Sequence, residues 1–468
     1  MILRYSLRYL VARGVPALVN FLAVAVYTRL LTPEAYGYYV LVIAGVNVLN
    51  LVCFQWLRFA LVRYLPAHQG QEEGLLGTIG WSYLALMFLV GSLGGAAAGL
   101  VADARWRSLM GVGVLLLWAQ AWFELNAELL RARLQTQAYG WAMGARSVGA
   151  LGLGTLFILS GLEAYGPLWG LVVSMVGIGI VFAYQHWRVI PIRLDTRRLR
   201  LLLRYGLPVA GSLAFNLIIV ASDRFLIAWL LDEAHAGIYA AGYDLAYQPV
   251  ILLMHIVYLA VYPLIVKAWE QEGKPVAYTY LSRNAQLLLI IAVPATVGLV
   301  LLRDAIASLV LGEAFQAASA IIAWVAVGTL LDGMRVYHAD LAFHLGQRTM
   351  GQLRSVLWGA LVNIGLNLLW IPRVGIIGAA WATVVSCGIA LLLSIWWGRT
   401  VLPIPWGLKK GLGISMAGIG MGITIGVLKA SMGWIGAGIV GIGMYGVLLA
   451  ILLKEDFTRI CRNIRLRI

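Results

Sequence analysis

The 468-residue chain has few charged residues for its length, and this shortage limits the kind of protein it can form. Charged side chains make up 12% of the sequence, apolar ones make up 62%, and the mean hydropathy is +0.87. Soluble domains are typically about 45–50% apolar and about 25% charged. The composition therefore excludes a soluble globular protein and predicts a chain that lies mostly within a lipid bilayer.

Cysteine is also scarce, and two signatures of catalysis are absent. The three cysteines, Cys53, Cys387 and Cys461, are far apart, so neither a disulfide framework nor a metal-binding set is predicted. The sequence contains no Gly-x-x-x-x-Gly-Lys-Ser/Thr phosphate loop and no Asp-x-Asp motif. The predicted outer connections are short turns, whereas a membrane glycosyltransferase or polymerase needs larger loops that carry carboxylates. We therefore expect no enzymatic activity, no catalytic residue, no cofactor and no metal.

Apolar runs fill the chain from Leu10 to Leu453. A hydrocarbon core about 30 Å thick needs about 20 apolar residues in each crossing helix. Fourteen windows meet this requirement: 10–29, 38–57, 80–101, 109–129, 141–161, 166–187, 206–231, 237–263, 284–302, 317–336, 352–371, 376–397, 411–428 and 433–453. The sequence predicts an all-α polytopic membrane protein with about 14 transmembrane helices. The first run lacks a small-residue cleavage site at its end, so we interpret it as a span rather than a signal peptide.

The net charge of +15 reflects where the basic residues fall along the chain. With an even number of spans both termini lie on one side, and that side collects 28 of the 35 lysines and arginines. The positive-inside rule makes this side cytoplasmic. We expect a multi-pass protein of the bacterial cytoplasmic (inner) membrane with both termini in the cytoplasm. Because the basic residues are spread over short loops, nucleic acid is not expected as a partner.

The sequence repeats itself about 200 residues apart. Residues 30–39 recur as 230–239, and the motif that begins at Trp169 recurs at Trp381. The identities in the first pair of motifs are Leu30/Leu230, Leu31/Leu231, Gly37/Gly237 and Tyr39/Tyr239. The pattern predicts two six-helix lobes, 1–187 and 206–397, related by a parallel repeat, as in two-lobed alternating-access transporters. Chance similarity within an apolar sequence remains the alternative.

Two regions fall outside the repeat. Residues 188–205 combine arginines with leucines at helical spacing, which predicts a cytoplasmic amphipathic linker on the inner membrane surface. Residues 398–468 hold helices 13 and 14 and a basic cytoplasmic tail, and the glycine-rich composition of these helices favours close packing.

Five short motifs occur in an order that resembles one transporter family. They are the turns and helix ends at 29–39, 222–227, 236–243, 344–349 and 367–380. This ordered set resembles the polysaccharide (O-antigen type) flippases of the multidrug/oligosaccharidyl-lipid/polysaccharide transporter superfamily. The resemblance covers nearly the whole chain, and each motif alone is weak.

The resemblance implies translocation of undecaprenyl-pyrophosphate-linked oligosaccharides from the cytoplasmic to the outer leaflet, for O-antigen and lipopolysaccharide synthesis. Its implied partners are this polyprenyl-pyrophosphate-linked oligosaccharide, membrane lipids and, as a further candidate, the polysaccharide polymerase machinery. Two alternatives stay open. One is a flippase for lipid-linked peptidoglycan precursors, and the other is a cation-coupled drug exporter of the same superfamily.

A diphosphate needs cationic partners inside the membrane, because unpaired charge in hydrocarbon is costly. The predicted substrate-binding residues of the first lobe are Arg58, Glu124, Glu128, Arg131 and Arg146. Glu124, Glu128 and Arg131 share one helix face, and the two other arginines lie near the predicted cytoplasmic mouth. The alternative is that the fourth-span residues form a local ion-pair ladder and that the arginines only anchor helix ends.

A second charged set lies on the seventh and eighth spans. Arg224 is a further predicted substrate-binding residue, and Asp223 and Asp244 are predicted to act in ion coupling or as a gate. Adjacent residues on a helix point about 100° apart, so Asp223 and Arg224 need separate partners, and Asp244 is the candidate for Arg224. A structural salt bridge or a snorkelling arginine is the alternative. Asp332 and Arg335 are predicted to pair on the tenth span.

The charge asymmetry makes the orientation testable. A reporter fused after Leu231 should lie outside the cytoplasm, and one fused after Arg200 should lie inside, because the cytoplasmic side holds 28 of the 35 basic residues. Paired alkaline phosphatase and fluorescent protein fusions measure this directly. The opposite pattern at both positions would reverse the assigned orientation.

Overall fold

The computed structural model describes residue 16 and residues 18–68, 72–348 and 350–452 of the chain. The basic residues predicted to flank the first span, Arg4, Arg8 and Arg13, and the basic tail from Lys454 onward lie outside the described residues. All regular elements in these ranges are helices, which confirms the predicted all-α class. Eleven of the helical segments, together with the shorter apolar helix Leu18–Leu30, have the composition of membrane spans.

We number the helices in chain order. They are α1 (Leu18–Leu30), α2 (Pro33–Tyr64), α3 (Glu72–Leu100), α4 (Ala104–Ala132), α5 (Thr136–Phe157), α6 (Tyr165–Phe182), α7 (Thr196–Leu230), α8 (Glu233–Lys267), α9 (Lys274–Leu301), α10 (Arg303–Val310), α11 (Ser319–Met334), α12 (Leu341–Leu345), α13 (Met350–Val374), α14 (Ile376–Val401) and α15 (Leu408–Leu452). A π-helical segment, Arg335–Ala339, joins α11 to α12, so these two form one span.

The last helix contains two spans. Its 45 residues correspond to about 68 Å of helix, more than twice the hydrocarbon thickness. Gly433 breaks it with a φ of 69° and a ψ of 175°, a conformation that glycine adopts without steric cost. The break lies at the start of the predicted fourteenth span. The eleven segments, α1, α7 and the second part of α15 together match the predicted total of about 14.

The chain packs as two compact units that divide after Ala240, within α8. In the first unit α6 packs against α5 and α4, and in the second α14 packs against α13 and α11. These are equivalent helix pairs of the predicted repeat. Small residues permit the closest approach, because a side chain at Gly170 would lie 2.5 Å from the backbone nitrogen of Gly154. Such contacts hold helices together in lipid, where burial of apolar surface contributes little.

The segment predicted as a linker has two parts. In its first part a turn follows Trp187, and the chain from there to Asp195 is not helical. Its arginine-rich part forms the first turns of α7. The Asp195 carboxylate caps this helix by accepting bonds from the backbone nitrogens of Arg197 and Arg198, at 2.9 and 3.2 Å. The helix then continues to Leu230 and packs along α2 in the first unit.

The two repeated turns contact each other. In the first, the Thr32 hydroxyl caps α2 by accepting a bond of 3.2 Å from the backbone nitrogen of Ala35. A Cβ atom at Gly37 would lie 1.8 Å from the carbonyl oxygen of Glu233, and one at Gly237 would lie 2.2 Å from that of Pro33. Because positions 33 and 233, like 37 and 237, are equivalent in the repeat, the contact is reciprocal, as between two-fold related elements. This reciprocity supports the predicted repeat.

The reciprocal contact predicts an unusual response to a small substitution. Gly37→Ala places a methyl group against the Glu233 backbone, so we expect destabilisation by about 1–3 kcal/mol, measured as a lower melting temperature in detergent. Gly144→Ala, on α5, is the matched control because no atom lies within 4 Å of its Cβ position. Equal melting temperatures for the two variants would contradict the close contact.

Candidate functional site

Polar side chains of α2 and α4 contact each other within the first unit. The Asn50 amide donates a 2.9 Å hydrogen bond to Glu124, and the Gln120 amide donates 3.0 Å bonds to Glu124 and to Asn47. The α2 positions lie within one turn of each other, as do the α4 positions, so one face of each helix carries the set. Amides and a carboxylate placed on neighbouring spans therefore form a connected polar network.

Arg58 completes this network. Its guanidinium forms an ion pair with Glu124 and donates a hydrogen bond to Gln55, one turn earlier on α2. Only 4% of Arg58 is exposed, so the arginine is buried together with its counter-ion. Two buried polar atoms, Arg58 Nε and Asn50 Oδ1, have no hydrogen-bond partner in the described structure. The network therefore retains one donor and one acceptor for a ligand or water.

The remaining predicted residues of α4 form a separate pair. Arg131 and Glu128 lie 2.8 Å apart at a separation of three residues, and both side chains are partly exposed. Glu128 therefore pairs with Arg131 within α4, and it also interacts electrostatically with Arg58 of α2. The alternative of a local ion-pair ladder applies to Glu128 and Arg131, whereas Glu124 is bound across helices.

Arg146 on α5 differs from the other predicted arginines. Its guanidinium carbon lies 5.6 Å from the ring centroid of Phe123, and its Nε is buried without a hydrogen-bond partner. Within the described ranges, no carboxylate lies within ion-pairing distance of it. A guanidinium whose Nε is buried without a hydrogen-bond partner is incompletely satisfied, because a cation–π contact replaces only part of the lost hydration. Arg146 can therefore accept an anionic ligand.

The predicted gate residues lie on α7 and α8. Asp223 is 5% exposed and accepts a 3.0 Å hydrogen bond from the Tyr239 hydroxyl, which anchors the carboxylate within the first unit. Arg224 follows it on α7 and is half-buried, and Asp244 is half-buried on α8. The pairing of Arg224 with Asp244 stays a prediction, as do the gating and coupling roles of these residues.

A third charged cluster lies in the second unit. Arg335 binds Asp332 at 2.7 Å, which confirms the predicted pair, and it also binds Asp340 at 2.9 Å. The Ser394 hydroxyl on α14 donates a hydrogen bond to Asp340, which is fully buried. Sequence reasoning did not assign Asp340 to this cluster. The π-helical segment brings it to Arg335, because the wider turn aligns residues five apart.

The turns on the predicted outer side are linked by polar contacts. Arg105, at the start of α4, binds Glu34 at 3.2 Å and Glu163 at 3.0 Å, and the Trp106 indole donates a 3.1 Å bond to Glu233. These bonds join the turns before α2, α4, α6 and α8 within the first unit.

The turn before α8 is stabilised from within. Asp232 accepts a bond of 2.8 Å from the backbone nitrogen of His235 and lies 2.7 Å from its ring. Partial burial raises the pKa of Asp232, but these hydrogen bonds outweigh that effect and hold the pKa below its usual value. The carboxylate that caps α8 is therefore ionised at neutral pH.

The fold is that of a polytopic α-helical membrane protein with buried charged clusters. The chain belongs to the polysaccharide biosynthesis protein family, which matches residues 26–320. It is 20% identical to the probable low-salt glycan biosynthesis flippase Agl15 of Haloferax volcanii over 395 residues, which cover 83% of this chain and 82% of that protein.

Two groups of solved structures share the fold. The lipid II flippase MurJ in its inward closed conformation matches with a TM-score of 0.78 at 15% identity, over 98% of this chain and 100% of that one. An inward-facing multidrug resistance MATE family transporter of the MOP superfamily matches with a TM-score of 0.63 at 16% identity, over 84% of this chain and 97% of its own. These similarities establish the fold that the motif order predicted.

The buried pair between α2 and α4 makes a stability prediction. Glu124→Ala leaves Arg58 buried without its counter-ion, so we expect a loss of about 3–5 kcal/mol, measured as a fall in thermal stability in detergent. Glu163→Ala breaks an exposed pair with Arg105 and should cost less than about 1 kcal/mol. If the two variants have the same melting temperature, the assignment of Arg58 to a buried pair is wrong.

Proposed function

We propose that the protein is a flippase that moves polyprenyl-diphosphate-linked oligosaccharides across the membrane by alternating access. The observation that carries this proposal is Arg146, whose buried Nε has no hydrogen-bond partner among the described residues and whose guanidinium lies against Phe123 of α4. The same helix carries Glu124, the counter-ion of Arg58. A carrier of neutral or cationic cargo has no use for such a group, because an uncompensated buried arginine destabilises the protein.

The arrangement suits a diphosphate for a further reason. A diphosphate headgroup carries at least two negative charges, and hydrogen bonds to charged groups contribute about 1.5–3 kcal/mol each. In the empty state Glu124 neutralises Arg58, so binding of the headgroup exchanges one anionic partner for another. Arg58 can thus hold the cargo and return to Glu124 on release, while Arg146 supplies a charge that the empty protein leaves uncompensated. Weak, reversible binding of this kind is what transport requires.

The contacts on the predicted outer side support alternating access. Arg105 and Trp106 tie together turns that carry Glu34, Glu163 and Glu233, and the Gly37 and Gly237 backbones meet beside them. All of these bonds are partly exposed or made through backbone atoms, so they can separate without leaving a buried charge unpaired. In this proposal they close the outer side while the cargo enters from the cytoplasmic leaflet.

The finer features of the proposal follow from the family and from the charge distribution. We place the protein in the bacterial cytoplasmic membrane with both termini inside and assign it an undecaprenyl-diphosphate cargo for O-antigen and lipopolysaccharide synthesis. The polysaccharide polymerase machinery is the proposed partner on the outer side. The similarity to the glycan biosynthesis flippase Agl15 supports a glycan cargo.

A flippase for lipid-linked peptidoglycan precursors is the second candidate. The fold of the lipid II flippase MurJ extends over nearly the whole chain, including the region of α15. That cargo is also a lipid-linked diphosphate, so the argument from Arg146 applies equally to it. The two candidates differ only in the saccharide and are separated by which null strain the gene restores.

The test is restoration of surface polysaccharide in a bacterium that lacks its polysaccharide flippase. We expect Arg146→Ala to reduce export about tenfold or more at normal expression, because charge-assisted bonds to the diphosphate are lost. Arg146→Lys should restore export only in part, since an ammonium group cannot reproduce the guanidinium fork. Arg107→Ala is the matched control, because Arg107 is exposed and binds only a backbone carbonyl.

A combined variant sharpens the outcome. Arg58→Ala, Arg146→Ala and Arg224→Ala together should abolish export. Export is normalised to the amount of protein in the membrane, because loss of Arg58 also leaves Glu124 without its partner. Normal export by this triple variant would show that the three arginines only anchor helix ends, and it would remove the basis of the proposal. Restoration of growth in a peptidoglycan-flippase null strain, without restored polysaccharide, would favour the second candidate.

A further inference from the structure

The helix α8 carries its aromatic and polar side chains on one face. Tyr243, Tyr247, His255, Tyr258 and Tyr262 fall within an arc of about 120° when successive residues are turned by 100°. The opposite arc presents exposed apolar side chains, including those of Leu252, Ile256 and Leu259. A membrane-spanning helix does not need a polar face, because a wholly apolar helix can pack against lipid on all sides. The polar face therefore calls for a separate explanation.

The rings on this face contact one another in two groups along the helix. Tyr243 and Tyr247 stack with centroids 5.3 Å apart, and Tyr258 and Tyr262 stack at 4.9 Å. His255 lies 6.3 Å from Tyr258, and Tyr337 of the π-helical segment lies 5.7 Å from His255 and 5.2 Å from Tyr258. We call these six residues the aromatic ladder. All of them belong to the second unit, in which α8 and the π-helical segment lie side by side.

The aromatic ladder is not a sealed part of the core. Each of its six residues is half-buried, whereas core aromatics such as Tyr239, Phe54 and Phe123 are almost completely buried. Half-buried rings keep part of a face or an edge accessible. Stacked rings that are partly accessible can bind a ligand with apolar faces and polar edges.

A carboxylate lies beside the ladder and is held in place. Asp332 is near enough to Tyr247 and Tyr337 for an electrostatic interaction with both. Arg335 grips its Oδ1 atom through Nε at 3.1 Å and Nη2 at 2.7 Å, yet the Asp332 side chain remains 26% exposed. Because Arg335 also binds Asp340, its single charge compensates only part of the charge of Asp332, and this partly exposed carboxylate keeps a negative character. It remains able to accept hydrogen bonds from hydroxyl groups.

We propose that the aromatic ladder is a stacking surface for the saccharide of the cargo, with Asp332 accepting hydrogen bonds from sugar hydroxyls; this inference rests on the proposed function. A pyranose ring has an apolar C–H face that packs against the negative face of an aromatic ring. Its hydroxyls, at the rim, meet the tyrosine hydroxyls and Asp332. A row of rings along one helix offers successive sites, so a short oligosaccharide can advance from ring to ring during the flip.

Ring stacking depends on the shape of a sugar face and little on which hydroxyls it carries. The ladder is therefore expected to accept sugars of different composition, as base-stacking surfaces accept different bases. This property allows a synthetic saccharide to serve as the probe.

The test compares two lipids on the purified full-length protein in nanodiscs. One probe is polyprenyl diphosphate, and the other is polyprenyl diphosphate that carries a disaccharide of N-acetylglucosamine. For the wild type we expect the Kd of the saccharide-bearing lipid to be about tenfold lower, since each ring contact contributes a factor of roughly 2–12. Tyr258→Leu with Tyr262→Leu should bring the two Kd values together without changing that of the saccharide-free lipid. The Tyr258→Phe, Tyr262→Phe variant should keep most of the difference.

Matched variants separate stacking from general packing. Trp396→Leu removes an exposed ring of α14 outside the ladder and should leave both Kd values unchanged. If the double leucine variant does not fold, the single Tyr262→Leu variant, at the end of the ladder, carries the same comparison with an expected loss of about threefold.

Each outcome decides a different point. A leucine variant that still prefers the saccharide-bearing lipid, or a wild type that binds both lipids equally, overturns the ladder proposal and leaves the proposed function standing. Failure of the wild type to bind either lipid overturns the proposed function and the ladder proposal with it. Binding of tetraphenylphosphonium that is lost in the leucine variant, without lipid discrimination, assigns the surface to organic cations and also overturns the proposal.

Discussion

The high cost of an unpaired charge in hydrocarbon is the constraint on which the rest of the structure depends. Arg58 on α2 is buried against Glu124 on α4, and Arg335 is buried against Asp332 and Asp340. Removal of one partner from such a pair leaves a buried charge, so each pair fixes the relative rotation of the groups that form it. The pairs contribute little net stability over apolar packing, but the pair of Arg58 with Glu124 specifies which faces of α2 and α4 meet.

Close backbone contacts provide the attraction between helices that the charged pairs do not provide. Within lipid, helices gain little from burying apolar surface and associate through dispersion contacts that need small residues. The backbones approach closely at Gly170, which lies against Gly154. They also approach closely at Gly37 and Gly237, each of which lies against the opposite turn. The two kinds of contact have separate effects, since the small residues set how closely the helices approach and the charged pairs set their rotation.

The difference between what the sequence could and could not predict follows from the range of each interaction. Spans depend on local hydropathy, and the Asp332–Arg335 pair depends on helical spacing, so both were predictable. The partner of Arg58 could not be predicted. An arginine at a helix end has the same sequence pattern whether it contacts lipid headgroups or binds a distant carboxylate. The addition of Asp340 to its cluster depends on a π-helical segment that the residue pattern does not reveal.

The two units differ in the chemistry of their polar residues, and the lipid-linked saccharide that we propose as cargo needs both kinds. In the first unit, Arg58 is neutralised by Glu124, whereas no carboxylate in the described part of the chain pairs with Arg146, which leaves a positive site. In the second, Arg335 faces two carboxylates, and half-buried aromatic rings lie beside one of them. A positive site binds a diphosphate but gives little to a neutral sugar, whereas aromatic rings beside a fixed carboxylate bind a sugar and repel a diphosphate. Because neither surface suits the whole headgroup, neither holds it tightly, and a carrier that must release its cargo on the far side benefits from this division.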